Sequence, residues 1–92
     1  MPQFEWDEAK NAKNVAKHGI DFGDAQRIFS GPCVTRTDER SDMYGELREI
    51  TVGLLDGVSV IVVVHTDRDG RIRIISARRA LRHERKRYEA AL

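Results

Sequence analysis

The sequence predicts one α+β domain over residues 1–92, with an N-terminal helical hairpin, an antiparallel β-meander of about four strands and a C-terminal helix. Three observations predict this class. The length suits a single domain. Apolar residues recur at helical spacing near both ends, and β-rich runs fill the middle. With 40% hydrophobic and 34% charged residues, the composition is typical of a folded globular chain.

The first predicted elements are a short edge strand and two helices. Residues 4–6 alternate apolar and acidic side chains, which is typical of an edge strand. Asp7 then suits the N-cap of a helix over Glu8–His18, and Gly19 ends that helix. Apolar residues within 22–29 predict a second short helix, which completes the hairpin.

The remaining elements are strands followed by one helix. The predicted strands cover Cys33–Thr37, 47–54, 58–66 and 71–76, with a polar loop over 38–45. Ser76 suits the N-cap of a final helix over 77–92.

The turn at Asp56-Gly57 decides which side chains share a sheet face, because a slip of one residue exchanges the faces. A two-residue turn would leave both faces mixed and would place Arg48 beside His65. A three-residue loop with Gly57 left-handed would pair Leu54 with Val58. We favour this loop because it collects one apolar face for the helices to cover: Ile50, Val52, Leu54, Val58, Val60, Val62 and Val64, joined by Ile72 and Ile74. The other face would then carry Glu49, Thr51, Ser59, His65, Arg71 and Arg73.

Charge is unevenly distributed along the chain. Residues 1–66 hold seven Lys/Arg and eleven Asp/Glu, a net charge of −4, whereas residues 67–92 hold nine and four, a net charge of +5. A basic C-terminal quarter on a chain of net charge +1 indicates a local anionic partner, either nucleic acid or an acidic protein.

A histidine, a carboxylate and several arginines on one sheet face suit the cleavage of RNA without a metal ion. His65 is the predicted proton carrier, since the ordinary pKa of histidine is near 6.5, and Glu49 would orient it. Arg71, Arg73 and Arg79 would bind or stabilise the phosphate, because guanidinium forks match its geometry. The alternative is a strand-end histidine with ordinary cross-strand charge pairs.

The basic column predicted on the final helix would add to the RNA surface; its members are Arg78, Arg82 and Arg85. His18, His65 and His83 lack metal-ligand spacing, and the chain has no glycine-rich phosphate loop, so neither a metal nor a cofactor is expected. A lone Cys33 cannot form an internal disulfide, and no apolar stretch is long enough to span a membrane, so we expect a cytoplasmic protein.

Two parts of the sequence carry a family pattern. The first is Phe4-Glu5-Trp6-Asp7-Glu8-Ala9-Lys10, then Asn14, then Lys17-His18-Gly19-Ile20-Asp21-Phe22. The second is Gly45-Glu46-Leu47-Arg48, Gly53, Arg73-Ile74-Ile75-Ser76-Ala77-Arg78-Arg79-Ala80, Glu84 and Tyr88. Together these residues resemble the BrnT toxin family over nearly the whole chain.

The resemblance implies a function that the composition does not show. BrnT toxins are ribonucleases of type II toxin–antitoxin pairs, with a fold similar to the RelE toxins, and they arrest growth by stopping translation. The implied partner is BrnA, a ribbon-helix-helix antitoxin, in a complex commonly of two copies each. That complex represses its own operon and touches operator DNA through the antitoxin.

His65 and Arg48 can be compared with the residues of the family pattern. His65 stands where many members have Tyr, and Arg48 belongs to the Gly-Glu-x-Arg pattern, which makes Arg48 a reserve active-site residue. The competing function is a non-catalytic RNA-binding or corepressor subunit. Growth arrest on expression of the chain alone would distinguish the enzyme from this alternative.

Overall fold

Residues 3–92, which the computed structural model describes, form five β-strands and four α-helices. The strands are β1 (Gln3–Glu5), β2 (Cys33–Thr37), β3 (Glu49–Leu55), β4 (Ser59–Arg68) and β5 (Arg71–Arg79). The helices are α1 (Glu8–His18), α2 (Phe22–Ala25), α3 (Ser41–Tyr44) and α4 (Arg82–Ala91), and a 3₁₀ helix (Gln26–Ser30) continues α2. The predicted α+β class is confirmed. Among the described residues no helix has the length and apolar character needed to cross a bilayer.

The strands form one mixed sheet in the order β1-β5-β4-β3-β2. Strands β2 to β5 are an antiparallel meander, and β1 adds to the edge of β5 in parallel, with Phe4 opposite Ile72. The predicted edge strand is therefore present. The sheet has five strands rather than about four, and it is mixed because β1 is parallel to β5 while the other pairs are antiparallel. The similarity to RelE toxins stays a prediction.

The N-terminal helix has the predicted bounds. Asp7 Oδ1 accepts a hydrogen bond of 3.1 Å from the Lys10 backbone N–H, which caps the first turn. Gly19, at φ 72°, donates its N–H to Val15 O over 2.8 Å and ends the helix. The second arm of the hairpin differs from the prediction, because it is one α turn followed by the 3₁₀ helix. That arm packs closely on β3, since a Cβ at Gly53 would lie 2.9 Å from Ile28 Cβ.

Helices cover both faces of the sheet. The first three helical segments pack on one face, which we call the core face; its buried cluster is Ile20, Phe22, Ala25, Ile28, Ile61, Val63, Ile74 and Ala77. Helix α4 lies on the opposite face, which we call the α4 face, against Val34 and Val52. One face collects Ile50, Val52, Leu54, Val60, Val62 and Val64, as predicted. The prediction was wrong for Val58, which lies exposed in the β3–β4 turn, and for Ile72 and Ile74, which lie on the core face. The N-terminal helices cover the core face rather than the predicted apolar face. A strand buried on both sides has a continuous apolar run, as residues 60–64 do, so the pattern does not identify the covered face.

The β3–β4 turn has the predicted handedness but a different register. Asp56 and Gly57 are left-handed, at φ 54° and 72°. Leu54 pairs with Val60 rather than Val58. A shift of two residues leaves the paired side chains of β3 and β4 on their predicted faces, whereas Val58 lies in the turn. Glu49 therefore stands directly opposite His65 instead of diagonal to it.

The β4–β5 register was predicted wrongly, and the error exchanges faces. Asp69 and Gly70, at φ 52° and 78°, make a two-residue turn that pairs Arg68 with Arg71. His65 consequently lies opposite Ile74 rather than Arg71. Arg71 and Arg73 lie opposite Arg68 and Thr66, which places both on the α4 face. His65 is on the core face, so neither arginine is beside it.

The C-terminal helix is shorter than predicted because β5 continues through Ala77 to Arg79. Ser76 lies within the strand, opposite Val64, and is not a helix cap. Helix α4 begins after Leu81, whose backbone N–H donates to Glu84 Oε1 over 2.8 Å.

A buried asparagine holds the end of β5 extended. The Asn14 side chain, 7% exposed on α1, donates to Ala77 O over 2.8 Å and accepts from Ala77 N over 3.1 Å. It also donates to Ile20 O over 2.8 Å. The amide thus pairs with Ala77 as the peptide group of a neighbouring strand would, at a point of the β5 edge that the short β1 does not reach.

Replacing Asn14 by Ala should be one of the most destabilising changes in the chain. It leaves three buried backbone groups without partners, each costing about 1–3 kcal/mol. We expect the free energy of unfolding to fall by about 3 kcal/mol and the melting temperature by more than about 10 °C. Lys13→Ala, on an exposed position of the same helix, is the matched control in calorimetry. Equal melting of the two variants would show that the amide contributes little.

Candidate functional site

The structure separates the predicted catalytic residues. His65 and Glu49 form a cross-strand pair. Arg79 ends β5 opposite Ile61, four residues from His65 along β4, which is about 13 Å. Arg48 directly precedes Glu49, but its guanidinium lies on the Tyr44 ring. Of the predicted set, only Glu49 is therefore beside His65.

His65 is buried on the core face. Its side chain is 4% exposed and lies edge-on to the Phe29 ring, with centroids 5.2 Å apart. Nε2 lies 2.7 Å from Thr51 Oγ1, which lies 2.7 Å from Thr35 Oγ1. Burial lowers the pKa of His65 below its ordinary value, and the charge of Glu49 opposes that shift. The imidazole is thus held neutral within a packed and hydrogen-bonded site.

The arginines predicted to bind RNA lie in three places. Arg71 and Arg73 approach Glu5 on β1, with N–O distances of 3.9 and 2.8 Å. Arg82 and Arg85 are exposed on α4, as predicted. Arg78 lies on β5 and not on the helix, so the predicted column of three arginines does not exist.

A basic groove lies on the α4 face, between α4 and the loop after β2. We call it the arginine groove, and its lining residues are Arg36, Asp38, Glu39, Arg40, Ile50, Arg78 and Arg87. Four guanidinium groups and two carboxylates give it a net positive charge. Strands β2 and β5, the loop and the helix each contribute an arginine, so the charge depends on the tertiary fold.

Two of these arginines are tied to carboxylates. Arg78 makes a bidentate pair with Glu84, with N–O distances of 2.7 and 2.8 Å. That pair lowers the pKa of Glu84 to about 2 and joins β5 to α4. Asp38, 3% exposed, accepts from the Arg40 backbone N–H over 3.0 Å and from its Nε over 3.3 Å. These bonds lower the pKa of Asp38, the backbone bond most, so Asp38 is a fixed anion.

The other two arginines are available for a ligand. Arg36 and Arg87 are exposed, and neither forms an ion pair with any carboxylate in the described part of the chain. They face the groove from β2 and α4. Two guanidinium groups that line one groove can bind an anion there, and phosphate matches their fork geometry.

The sequence prediction missed the groove residues Arg36, Arg40 and Arg87, and also Tyr44 beside them. Arg36 carried a usable signal, because it alternates with Val34 on β2 and so belongs to the same face. Arg87 requires the position of α4 over β2, which no local pattern gives. Within residues 3–92 no three His, Cys, Asp or Glu side chains are grouped as metal ligands.

The lowered pKa of His65 predicts a pH-dependent stability. The unfolded chain binds this proton near pH 6.5, and the folded chain binds it only at lower pH. The stabilisation is thus complete above about pH 6.5 and is lost as the pH falls towards the folded pKa, by at most about 1.4 kcal/mol per pH unit.

Urea unfolding at several pH values checks this expectation. Between about pH 7.5 and 5.5 the parent chain should lose more stability than His65→Gln, which keeps a hydrogen-bonding amide but does not titrate there. Parallel pH profiles for the two proteins would contradict it.

Comparison with known proteins agrees with the sequence resemblance. The family model for the ribonuclease toxin BrnT of type II toxin–antitoxin systems matches residues 6–84. The 1.1 Å crystal structure of the Brucella abortus ribonuclease toxin BrnT is similar with a TM-score of 0.73 and 26% sequence identity, covering 89% of this chain and 100% of that chain. No curated protein matches the sequence significantly. The chain therefore belongs to the BrnT family of ribonuclease toxins of type II toxin–antitoxin systems.

Proposed function

We propose that this chain is an endoribonuclease toxin that binds RNA in the arginine groove. The observation that carries the proposal is the pair Arg36 and Arg87, which line the groove from β2 and α4, are exposed and have no ion-pair partner among the described residues. Membership of a ribonuclease toxin family supplies the reaction class. The groove supplies a surface where a polyanion gains charge-assisted hydrogen bonds without displacing existing salt bridges.

We propose a reaction in which the RNA 2′-hydroxyl attacks the neighbouring phosphate and the 5′-oxygen departs. This reaction needs a proton acceptor, a proton donor and positive charge where the phosphate becomes more negative. The groove arginines are placed to supply that charge, so we propose that cleavage does not require a metal ion.

Two residues are candidates for the proton acceptor, Glu39 in the groove and His65 on the core face. Glu39 lines the groove and is exposed, so its carboxylate can reach a bound 2′-hydroxyl. We therefore propose Glu39 as the acceptor of the 2′-hydroxyl proton, with solvent water as the proton donor to the departing 5′-oxygen. We prefer Glu39 to His65 because His65 is buried on the core face, away from the groove. Proton transfer by His65, oriented by Glu49, stays a prediction. Arg48 and Arg79 stay predicted site residues.

A type II toxin has an antitoxin partner, and the groove indicates how that partner would act. We propose that a BrnA-type antitoxin places an acidic segment in the arginine groove and so excludes RNA. We further propose a complex of two toxins and two antitoxins that represses its own operon, with operator DNA bound by the antitoxin. Free toxin would then arrest growth by stopping translation in the cytoplasm.

Removing the two free groove arginines should weaken RNA binding and flatten its salt dependence. Each lost phosphate contact to a single strand should reduce the slope of log K against log salt by about 0.7. Arg36→Ala/Arg87→Ala should therefore flatten it by about 1.4 in anisotropy titrations with an uncleavable 2′-O-methyl RNA.

Arg82→Ala/Arg85→Ala is the matched comparison, since it removes the same charge from exposed positions on α4 that do not line the groove. A larger flattening in this second variant would place the RNA on the surface that the sequence predicted.

RNA cleavage by the purified toxin should persist in EDTA and should depend on Glu39. We expect Glu39→Gln to slow cleavage by about 10²-fold or more, as loss of a general base does, with RNA affinity unchanged. His65→Gln is the parallel variant, and a similar slowing there would support the sequence-predicted proton carrier instead. Activity that needed magnesium would overturn metal independence. RNA binding without any cleavage or growth arrest would favour the non-catalytic RNA-binding subunit.

A further inference from the structure

An exposed tyrosine lies beside the arginine groove and has no role in the chemistry above. Tyr44 ends α3 and is 40% exposed. The Arg48 guanidinium carbon lies 3.6 Å from the ring centroid, so it covers one face of the ring. The guanidinium carbon of Arg40, a groove residue, lies 5.9 Å from the same centroid. The ring therefore continues the groove wall with an aromatic surface.

The ring is held in place by the loop that carries it. The backbone N–H of Asp38 donates to Arg48 O over 2.8 Å, and Ser41 Oγ accepts from Arg48 N over 2.9 Å. These bonds close the loop that contains α3 and keep Arg48 beneath Tyr44. The Arg48 side chain is only 18% exposed; its Nε makes no hydrogen bond among the described atoms but lies 3.7 Å from Glu46 Oε1, and the guanidinium is held between this carboxylate and the ring. A ring fixed in this way loses little conformational entropy when a planar group stacks on it.

The chemistry of the groove indicates which planar group that is. Proteins bind single-stranded RNA by stacking unpaired bases on aromatic side chains beside arginines that hold the phosphates. A base inside an A-form duplex has both faces covered by its neighbours and cannot stack on a protein ring. A strand whose phosphates lie along the groove past Arg40 would bring a base to Tyr44.

We propose that Tyr44 stacks on an unpaired base of the substrate, so that the arginine groove takes single-stranded RNA and rejects duplex RNA. This inference rests on the proposed function, because it needs RNA in the groove. In this arrangement Arg48 is a positioning residue that supports the ring from beneath. Tyr44 makes the contact that distinguishes single strands from duplexes.

The test measures affinities for an uncleavable 2′-O-methyl RNA by anisotropy, using the full chain. Tyr44→Leu keeps apolar bulk but loses the stacking face, and should weaken binding by roughly 5- to 150-fold. Tyr44→Phe keeps the ring and should bind like the parent chain. Met43→Ala, a neighbour on α3 that is 79% exposed, is the matched control and should also bind like the parent chain.

A scan of abasic sites shows whether the contact is with a base. For the parent chain, one abasic position in the single strand should reduce affinity by about the same factor as Tyr44→Leu. In Tyr44→Leu that penalty should disappear, because the two changes remove one interaction. A duplex of the same sequence should bind the parent chain and Tyr44→Leu equally.

The outcomes separate this inference from the proposed function. Equal abasic profiles for the parent chain and Tyr44→Leu would overturn stacking, even with RNA bound in the groove. Tighter binding of the duplex than of the single strand would also overturn it. If Arg36→Ala/Arg87→Ala left RNA affinity unchanged while Tyr44→Leu weakened it, the groove proposal and its selectivity for single strands would fail, and only the contact between Tyr44 and a base would stand.

Discussion

The amide of Asn14 joins two parts of the chain that are 63 residues apart, and the positions of the other elements depend on this contact. Its two hydrogen bonds with Ala77 make α1 the neighbour of β5 where β1 has already ended. They also keep β5 extended to Arg79 rather than helical. Because side chains alternate along a strand, Ala77 faces the core and Arg78 faces the opposite side, beneath α4.

The position of α4 follows from that arrangement. Arg78 binds Glu84 in the first turn of the helix, and the hydroxyl of Tyr88, further along, donates to Pro32 O over 2.7 Å. These two contacts fix α4 against β2, so that Arg87 and Arg36 line the same groove. The ion pair that positions the helix uses one arginine of the groove, and two others remain available for a ligand. The fold thus divides its arginines between structure and binding.

The sequence predicted the elements and the family better than it predicted the site. Local signals identified α1, because its N-cap at Asp7 and its end at Gly19 can each be recognised from a few neighbouring residues. The faces of β3 were also predicted, because a register shift of two residues preserves them. The pairing of His65 with Arg71 failed at the tight Asp69-Gly70 turn, which changed the register by an odd number of residues.

The site could not be predicted because it depends on contacts distant in sequence. The length of β5 depends on its pairing with β4 through Arg79 and on the Asn14 amide at Ala77, and the apolar run of β4 does not show which face the helices cover. The sequence predicted His65 as a proton carrier on a sheet face open to the substrate. In the structure Phe29 and Thr51 enclose its side chain. Arg36 and Arg87 become neighbours only after α4 has packed on the sheet.

We propose that RNA binds the α4 face of this chain, in the arginine groove, and not the surface around His65. The most direct measurement is a titration of the isotopically labelled chain with an uncleavable RNA, following the arginine Nε–Hε resonances by NMR. We expect the largest chemical-shift changes at Arg36 and Arg87, with the resonances of Arg82 and Arg85 nearly unchanged. Largest shifts at Arg79, Arg82 or Arg85, or at the ring of His65, with the groove arginines unmoved, would contradict it.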